Sequence, residues 1–150
     1  MPNDEIIIYT DGACSGNQQR NNKGGWGAII ISGDDEKELW DGEMNTTNNR
    51  MEMTACVEAL KYVGDSKKTI KIHSDSAYIV NCFKQKWYVN WRRNGWRNAS
   101  KKPVENRDLW EAMLELVEKN NVTFVKVKGH AGIPLNERAD QLANRGIDEL

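Results

Sequence analysis

The stretch Ile6-Ile7-Ile8-Tyr9-Thr10-Asp11-Gly12 decides the fold. An unbroken run of isoleucines followed by tyrosine and threonine reads as a strand buried on both faces. It closes on a carboxylate and a glycine, where the chain is expected to leave the sheet. Ligands of open α/β sheets collect beyond the carboxyl ends of strands, so Asp11 stands where a site would be. Alone, an Asp-Gly pair reads more simply as a turn. What tips the balance is that three more carboxylates occupy equally conspicuous positions downstream.

From this strand outward, Gly12 to Lys23 reads as a polar loop. Gly25 to Ile31 reads as a second strand, closed by a turn at Gly33-Asp34-Asp35, and Glu38 to Met44 as a third in a hairpin with it. The link from the first strand is too short for a helical crossover, so the second pairs antiparallel with it. Thr46-Thr47-Asn48-Asn49 supplies capping chemistry for a helix from about Arg50 to Val63, stopped by Gly64. On that helix Ala55, Cys56, Ala59, Leu60 and Val63 share an apolar face. With about 100° of turn per residue, Glu52 points into that face. A carboxylate there is expensive unless something pairs with it.

Ile70 to Asp75 is a fourth strand, again ending on an aspartate just before a helix start at Ser76-Ala77. The long crossover through the Glu52 helix makes it parallel to the first strand, which places Asp75 near Asp11. A helix follows Glu105-Asn106, with Leu109, Trp110, Met113, Leu116 and Val117 as its stripe. Val122 to Val127 is a fifth strand. Gly129-His130-Ala131-Gly132 forms a loop, and Pro134 opens a last helix with Ala139, Leu142, Ala143 and Ile147 inward. Asp140 lies at the edge of that inward face. The expected architecture is one α/β domain over residues 1–150, a five-stranded mixed sheet flanked by helices.

Composition narrows the function classes. With 39% apolar and 29% charged residues and no long apolar run, the chain reads as a soluble globular protein rather than a membrane protein. The polar, acidic first residues resemble neither a signal peptide nor a transit segment. Cys14, Cys56 and Cys82 are odd in number and lack a CxxC pair, which fits the cytoplasm. Net charge is −1, yet the segment from Lys84 to Lys102 holds Lys84, Lys86, Arg92, Arg93, Arg97, Lys101 and Lys102 with no acidic residue. Trp87, Trp91 and Trp96 are interleaved with them. One surface is thus suited to a polyanion, and the acidic remainder to metal ions.

Four carboxylates in one place would repel one another and stay partly protonated unless cations neutralised them. All-oxygen ligands favour Mg²⁺ or Mn²⁺ over Zn²⁺ or Cu²⁺. Paired divalent ions are the common device for displacement at phosphorus. A basic strip bearing tryptophans supplies the backbone contacts that a nucleic acid needs.

The segments 9–14 (Tyr-Thr-Asp-Gly-Ala-Cys), 47–52 (Thr-Asn-Asn-Arg-Met-Glu), 74–76 (Ser-Asp-Ser) and 128–140 (Lys-Gly-His-Ala-Gly-Ile-Pro-Leu-Asn-Glu-Arg-Ala-Asp) closely resemble type 1 ribonuclease H of the bacterial kind. The similarity runs from about residue 5 to residue 146. It implies the ribonuclease H-like sheet, with strand order 3-2-1-4-5 and strand 2 antiparallel. It also implies an endonuclease that cuts the RNA strand of an RNA–DNA hybrid, leaving 5′-phosphate and 3′-hydroxyl ends. By motif position Asp11, Glu52, Asp75 and Asp140 would be catalytic and would hold two Mg²⁺ ions, with Mn²⁺ able to take their place. His130 would help product leave. The basic strip matches the family's protruding substrate-binding segment, bringing Trp87, Trp91, Arg92, Arg93, Trp96, Arg97, Lys101 and Lys102 to the substrate. Asn17, Asn48 and Asn49 match minor-groove contacts, where RNA displays its 2′-hydroxyls. Thr47 and Asn106 match positions that hold DNA-strand phosphates.

The chain departs from the family in a longer, polar stretch at residues 18–23, and in Glu105 where some relatives have lysine. Two alternatives stay open: a ribonuclease H domain released from a reverse transcriptase, and a transposase- or integrase-like nuclease core. The order Asp, Glu, Asp, Asp speaks against the latter. The basic strip and self-contained termini favour a free-standing, monomeric enzyme.

Overall fold

The computed structural model describes residues 5–15, 22–129 and 132–150; Asn17 and His130 fall outside them. The chain order is β1 (Glu5–Ser15), β2 (Lys23–Ser32), β3 (Asp35–Met44), α1 (Asn48–Val63), β4 (Thr69–Ser74), α2 (Ala77–Gln85), α3 (Trp87–Arg93), α4 (Arg107–Glu118), β5 (Asn121–Lys126) and α5 (Pro134–Asp148). The strands form a five-stranded sheet in the order β3-β2-β1-β4-β5. β2 is antiparallel to both of its neighbours, β1 and β3, and β4 and β5 run parallel to β1, as the crossover lengths require.

β1 departs from expectation in one informative way. It does not leave the sheet at Asp11: pairing with β2 continues from Ile6↔Ser32 through Asp11↔Gly27 to Ser15↔Lys23. What stops is the pairing with β4, which runs only from Glu5↔Thr69 to Tyr9↔His73. The sheet therefore splits beyond Tyr9, and Asp11 stands at the mouth of the split. Gly12 is not a turn residue. A Cβ there would lie 2.5 Å from the Glu52 backbone nitrogen, so the glycine lets α1 approach the strand. Nor is β1 equally buried on its two faces. Ile6, Ile8 and Thr10 are buried, whereas Ile7 and Tyr9 are half-buried.

The larger core joins Ile6, Ile8, Ala28 and Ile30 of the sheet to Met51, Ala55, Cys56, Ala59 and Leu60 of α1 and to Trp110, Met113 and Leu114 of α4. Leu114 adds to the stripe expected on α4. α1 begins two residues earlier than its periodicity suggests, because the Thr47 hydroxyl accepts from the Arg50 N–H at 3.1 Å and caps it. Gly64 at φ 69° ends the helix.

A smaller core joins Ile29 to Ala139 and Leu142 of α5, with Tyr9, Ile31, Trp40 and Leu135 at its margin. Here the helix lies on bare backbone. A Cβ on Gly25 would sit 2.0 Å from the Ala143 carbonyl oxygen, one on Gly27 2.6 Å from that of Ala139, and one on Gly42 2.2 Å from that of Gly146. At the margin, Arg138 forks onto Glu38 (2.6 and 2.8 Å), and the Arg145 guanidinium stacks over Trp40. Among the described residues no helix is long and apolar enough to cross a membrane.

Candidate active site

Three elements bring three carboxylates together at the mouth of the split. Asp11 projects from β1, Asp75 follows the last residue of β4, and Glu52 reaches in from the second turn of α1. One oxygen from each lies within 4.8 Å of the other two. Asp140 joins from α5, lining the same cavity of about 380 Å³ and reaching the Asp11 carboxyl. Asn48, Asn49, Gly12, Ser76, Ala77 and Tyr78 complete the wall.

The electrostatics disfavour four ionised acids side by side. Burial pushes the Asp11 carboxyl up to about 7; a hydrogen bond from Glu52 and the Gly12 N–H (2.9 Å) counteract this, while Asp75 and Asp140 add to it. Glu52 is also raised well above the usual carboxylate range, by burial first and then by the charges of Asp11 and Asp75. Its Oε2 is buried and has no hydrogen-bond partner. A buried, unpaired carboxylate oxygen amid other acids is costly, and an oxygen-seeking divalent cation removes that cost. The donor set thus fits hard divalent ions. Cys56, one turn along α1, is buried against Thr10 with its thiol pushed up to about 12, so it is no ligand or nucleophile.

Beside this cavity lies a larger groove of about 1030 Å³, walled by Tyr78, Trp87, Asn90, Arg93, Asn94, Arg97, Asn98, Lys102 and Glu105. Asn49 and Tyr78 line both spaces, so the groove continues the carboxylate cavity toward the basic segment.

The basic segment differs from expectation in three ways. Trp91 and Trp96 are largely buried rings: each is 8% exposed and packs in an aromatic column with Trp110, at centroid distances of 5.8 Å (Trp91–Trp96) and 5.6 Å (Trp91–Trp110), and of the two only Trp91 lines the groove. The indole area is worth more inside the core than in water, and Trp87 keeps the more open position. Arg92 is engaged: both of its terminal nitrogens meet Glu118 at 2.9 Å. Lys101 and Arg92 do not line the groove, whereas Arg93, Arg97 and Lys102 do.

Thr47 and Asn106 are brought together by a residue the sequence did not single out. Arg50 donates to Asn106 at 3.2 Å and forks onto Asp108, joining the starts of α1 and α4. Its position next to the Thr-Asn-Asn motif was a signal, but its partners lie more than fifty residues away. Tyr78 was also missed. Its hydroxyl accepts from Trp110 at 3.1 Å, which fixes the ring between cavity and groove. Gly129 is a third: a Cβ there would lie 2.7 Å from an Asp75 oxygen.

Comparison with known proteins gives a consistent result. The family model for RNase H matches residues 3–148. The chain is 51% identical over 146 residues to the ribonuclease H of Syntrophomonas wolfei subsp. wolfei, covering 97% of this chain and 98% of that one. It is 48% identical over 146 residues to that of Clostridium botulinum strain Hall, at 97% of each. Among solved structures it resembles LC9-RNase H1, a type 1 RNase H with the type 2 active-site motif, at TM-score 0.86 and 30% identity, covering 99% of this chain and 74% of that one. It also resembles LC11-RNase H1, solved in complex with an RNA/DNA hybrid, at TM-score 0.73 and 25% identity, covering 96% and 97%.

Proposed function

The chain belongs to the ribonuclease H family, and from that premise we propose a hybrid-specific endonuclease working through two divalent ions held by Asp11, Glu52, Asp75 and Asp140. The observation that carries this is the convergence of Asp11, Glu52 and Asp75 around a buried, unpaired Glu52 oxygen, at the end of a groove edged with cations. Bound there, Mg²⁺ (or Mn²⁺) supplies Lewis-acid stabilisation at a phosphodiester.

The protein's own groups set which bond is presented. Asn48 and Asn49, at the start of α1, offer amides that can both donate to and accept from a 2′-hydroxyl. Arg93, Arg97 and Lys102 along the groove meet the phosphates of the other strand, with Trp87 beside them. Asn106 keeps its amide NH₂ for a phosphate while its oxygen takes Arg50. Asn17 joins the 2′-hydroxyl readers by its place in the motif. Water attacks the phosphorus, the P–O3′ bond breaks, and the products carry 5′-phosphate and 3′-hydroxyl ends. His130 carries a proton to the departing oxygen or draws the product away. The enzyme acts as a monomeric domain in the cytoplasm.

The test is cleavage of labelled RNA–DNA hybrid, duplex RNA, duplex DNA and single-stranded RNA, each with Mg²⁺ and with EDTA. Cutting of the hybrid's RNA strand with Mg²⁺ and none with EDTA is expected. Equal cutting of duplex DNA, or activity in EDTA, refutes the proposal.

A further inference from the structure

The β2–β3 ladder ends at Lys23↔Met44, and Asn45 then turns into the left-handed region at φ 56°. The strand cannot continue, yet one more rung is present. The Asn45 N–H donates to the Asn22 carbonyl at 2.8 Å. The Asn22 side chain then takes over the role of a peptide group: its Oδ1 accepts from the Thr46 N–H at 3.0 Å, and its Nδ2 donates to the Thr46 carbonyl at 2.8 Å. The same Nδ2 meets the Cys14 sulfur at 3.2 Å. Asn22 and Thr46 are 6% and 5% exposed, so water cannot stand in for these bonds. Gly24 completes the seat, since a Cβ there would lie 2.2 Å from the Thr46 methyl.

Thr46 is followed at once by Thr47, the cap of α1, and by Asn48 and Asn49 on the cavity wall. Glu52 is located separately, by the approach of α1 to Gly12 and by the buried Met51 and Met53. We infer that Asn22 is a positioning residue for substrate recognition, holding Thr46 so that the Thr47-Asn48-Asn49 turn meets the RNA strand, while leaving the carboxylates in place. This rests on the reading of Asn48 and Asn49 as hybrid contacts. An asparagine is required because no other residue of its length offers a donor and an acceptor side by side.

The experiment compares wild type, Asn22→Ala and Asn22→Asp, the last keeping the acceptor but not the donor. Steady-state cleavage of an RNA–DNA hybrid in Mg²⁺ is measured with circular dichroism melts and amide hydrogen exchange at residues 46–48. Both variants are expected to raise KM about tenfold, the scale of one lost net hydrogen bond, with kcat at saturation changed less than about threefold. Exchange at Thr46 should quicken while α4 and α5 stay protected. Unchanged KM in a folded variant overturns the inference, as does an equal fall in kcat and kcat/KM. If Asn22→Ala does not fold, Asn22→Asp decides. If wild type leaves the hybrid uncut, the proposed function fails, and unaltered exchange at Thr46 in the variants would separately overturn the clamp.

Discussion

Replacing Asp11 with asparagine separates what the carboxylate does for folding from what it does for chemistry. Burial holds this acid near 7 against an ordinary 3.8, so the folded state favours its protonated form. The sign follows: without metal, its contribution is fully present below pH 3.8 and is lost as pH rises through 7. At about 1.4 kcal/mol per pH unit, a fully ionised Asp11 costs the metal-free protein up to about 4 kcal/mol. Glu52 can hold a proton in its place, so roughly 2–4 kcal/mol is expected. For a chain of this size that corresponds to a melting temperature higher by roughly 5–15 °C in the variant. The assay is thermal melting in EDTA from pH 4 to pH 9, followed by the same series with Mg²⁺. The variant should match wild type near pH 4, exceed it at pH 8, gain little from Mg²⁺, and cut no hybrid. Equal stability at pH 8 in EDTA would refute the argument from burial. Near-normal Mg²⁺-dependent turnover would remove Asp11 from the site.

Five further outcomes follow, the last from motif position alone. Gly25→Ala should destabilise the fold by about 1–3 kcal/mol, measured by urea unfolding, because its Cβ meets backbone rather than a movable side chain. Gly129→Ala should lower kcat by roughly tenfold or more with little change in melting temperature, since its Cβ displaces the Asp75 carboxylate by fractions of an ångström. Replacing Arg93, Arg97 and Lys102 with alanine should reduce the log–log salt slope of hybrid binding by about 0.9 per lost phosphate contact on the B-DNA scale. Arg92→Ala should change that slope less, because Glu118 already engages Arg92. His130→Ala should slow steady-state turnover more than the single-turnover rate; a variant as fast as wild type in both would exclude the histidine from the reaction.

The pairing of the first four strands and the carboxylate positions were legible from periodicity and connection lengths, whereas the place of β5 came only with the family resemblance. The isoleucine run, the short hairpin link and the long crossover fix those pairings, and the facing direction of Glu52 on α1 is a matter of helical period. What stayed hidden depends on partners far along the chain. Asp11-Gly12 looks like a turn until α1 is laid across Gly12. Trp91 and Trp96 look like open rings because their neighbours in sequence are basic, yet Trp91 keeps only an edge on the groove, packed between Trp96 and Trp110 of α4. Arg92 looks available until Glu118 is brought beside it. The Asn22 clamp gave no periodic signal at all, since it is a single side chain imitating a peptide group.

The glycine seam between α5 and the sheet bears on how the fourth acid keeps its place. At Gly25, Gly27, Gly42 and Gly146 the height of α5 over β2 and β3 is set by close approach to main chain, alongside the small core around Ile29, Ala139 and Leu142. Substitutions elsewhere in the larger core can swell or shrink the spacing of α1 and α4 without lifting the ledge on which Asp140 stands. The seam has no rotamers to rearrange as temperature rises, so thermal repacking has no handle there. That ledge is therefore a fixed datum, against which the carboxylates of β1, α1 and β4 are gauged.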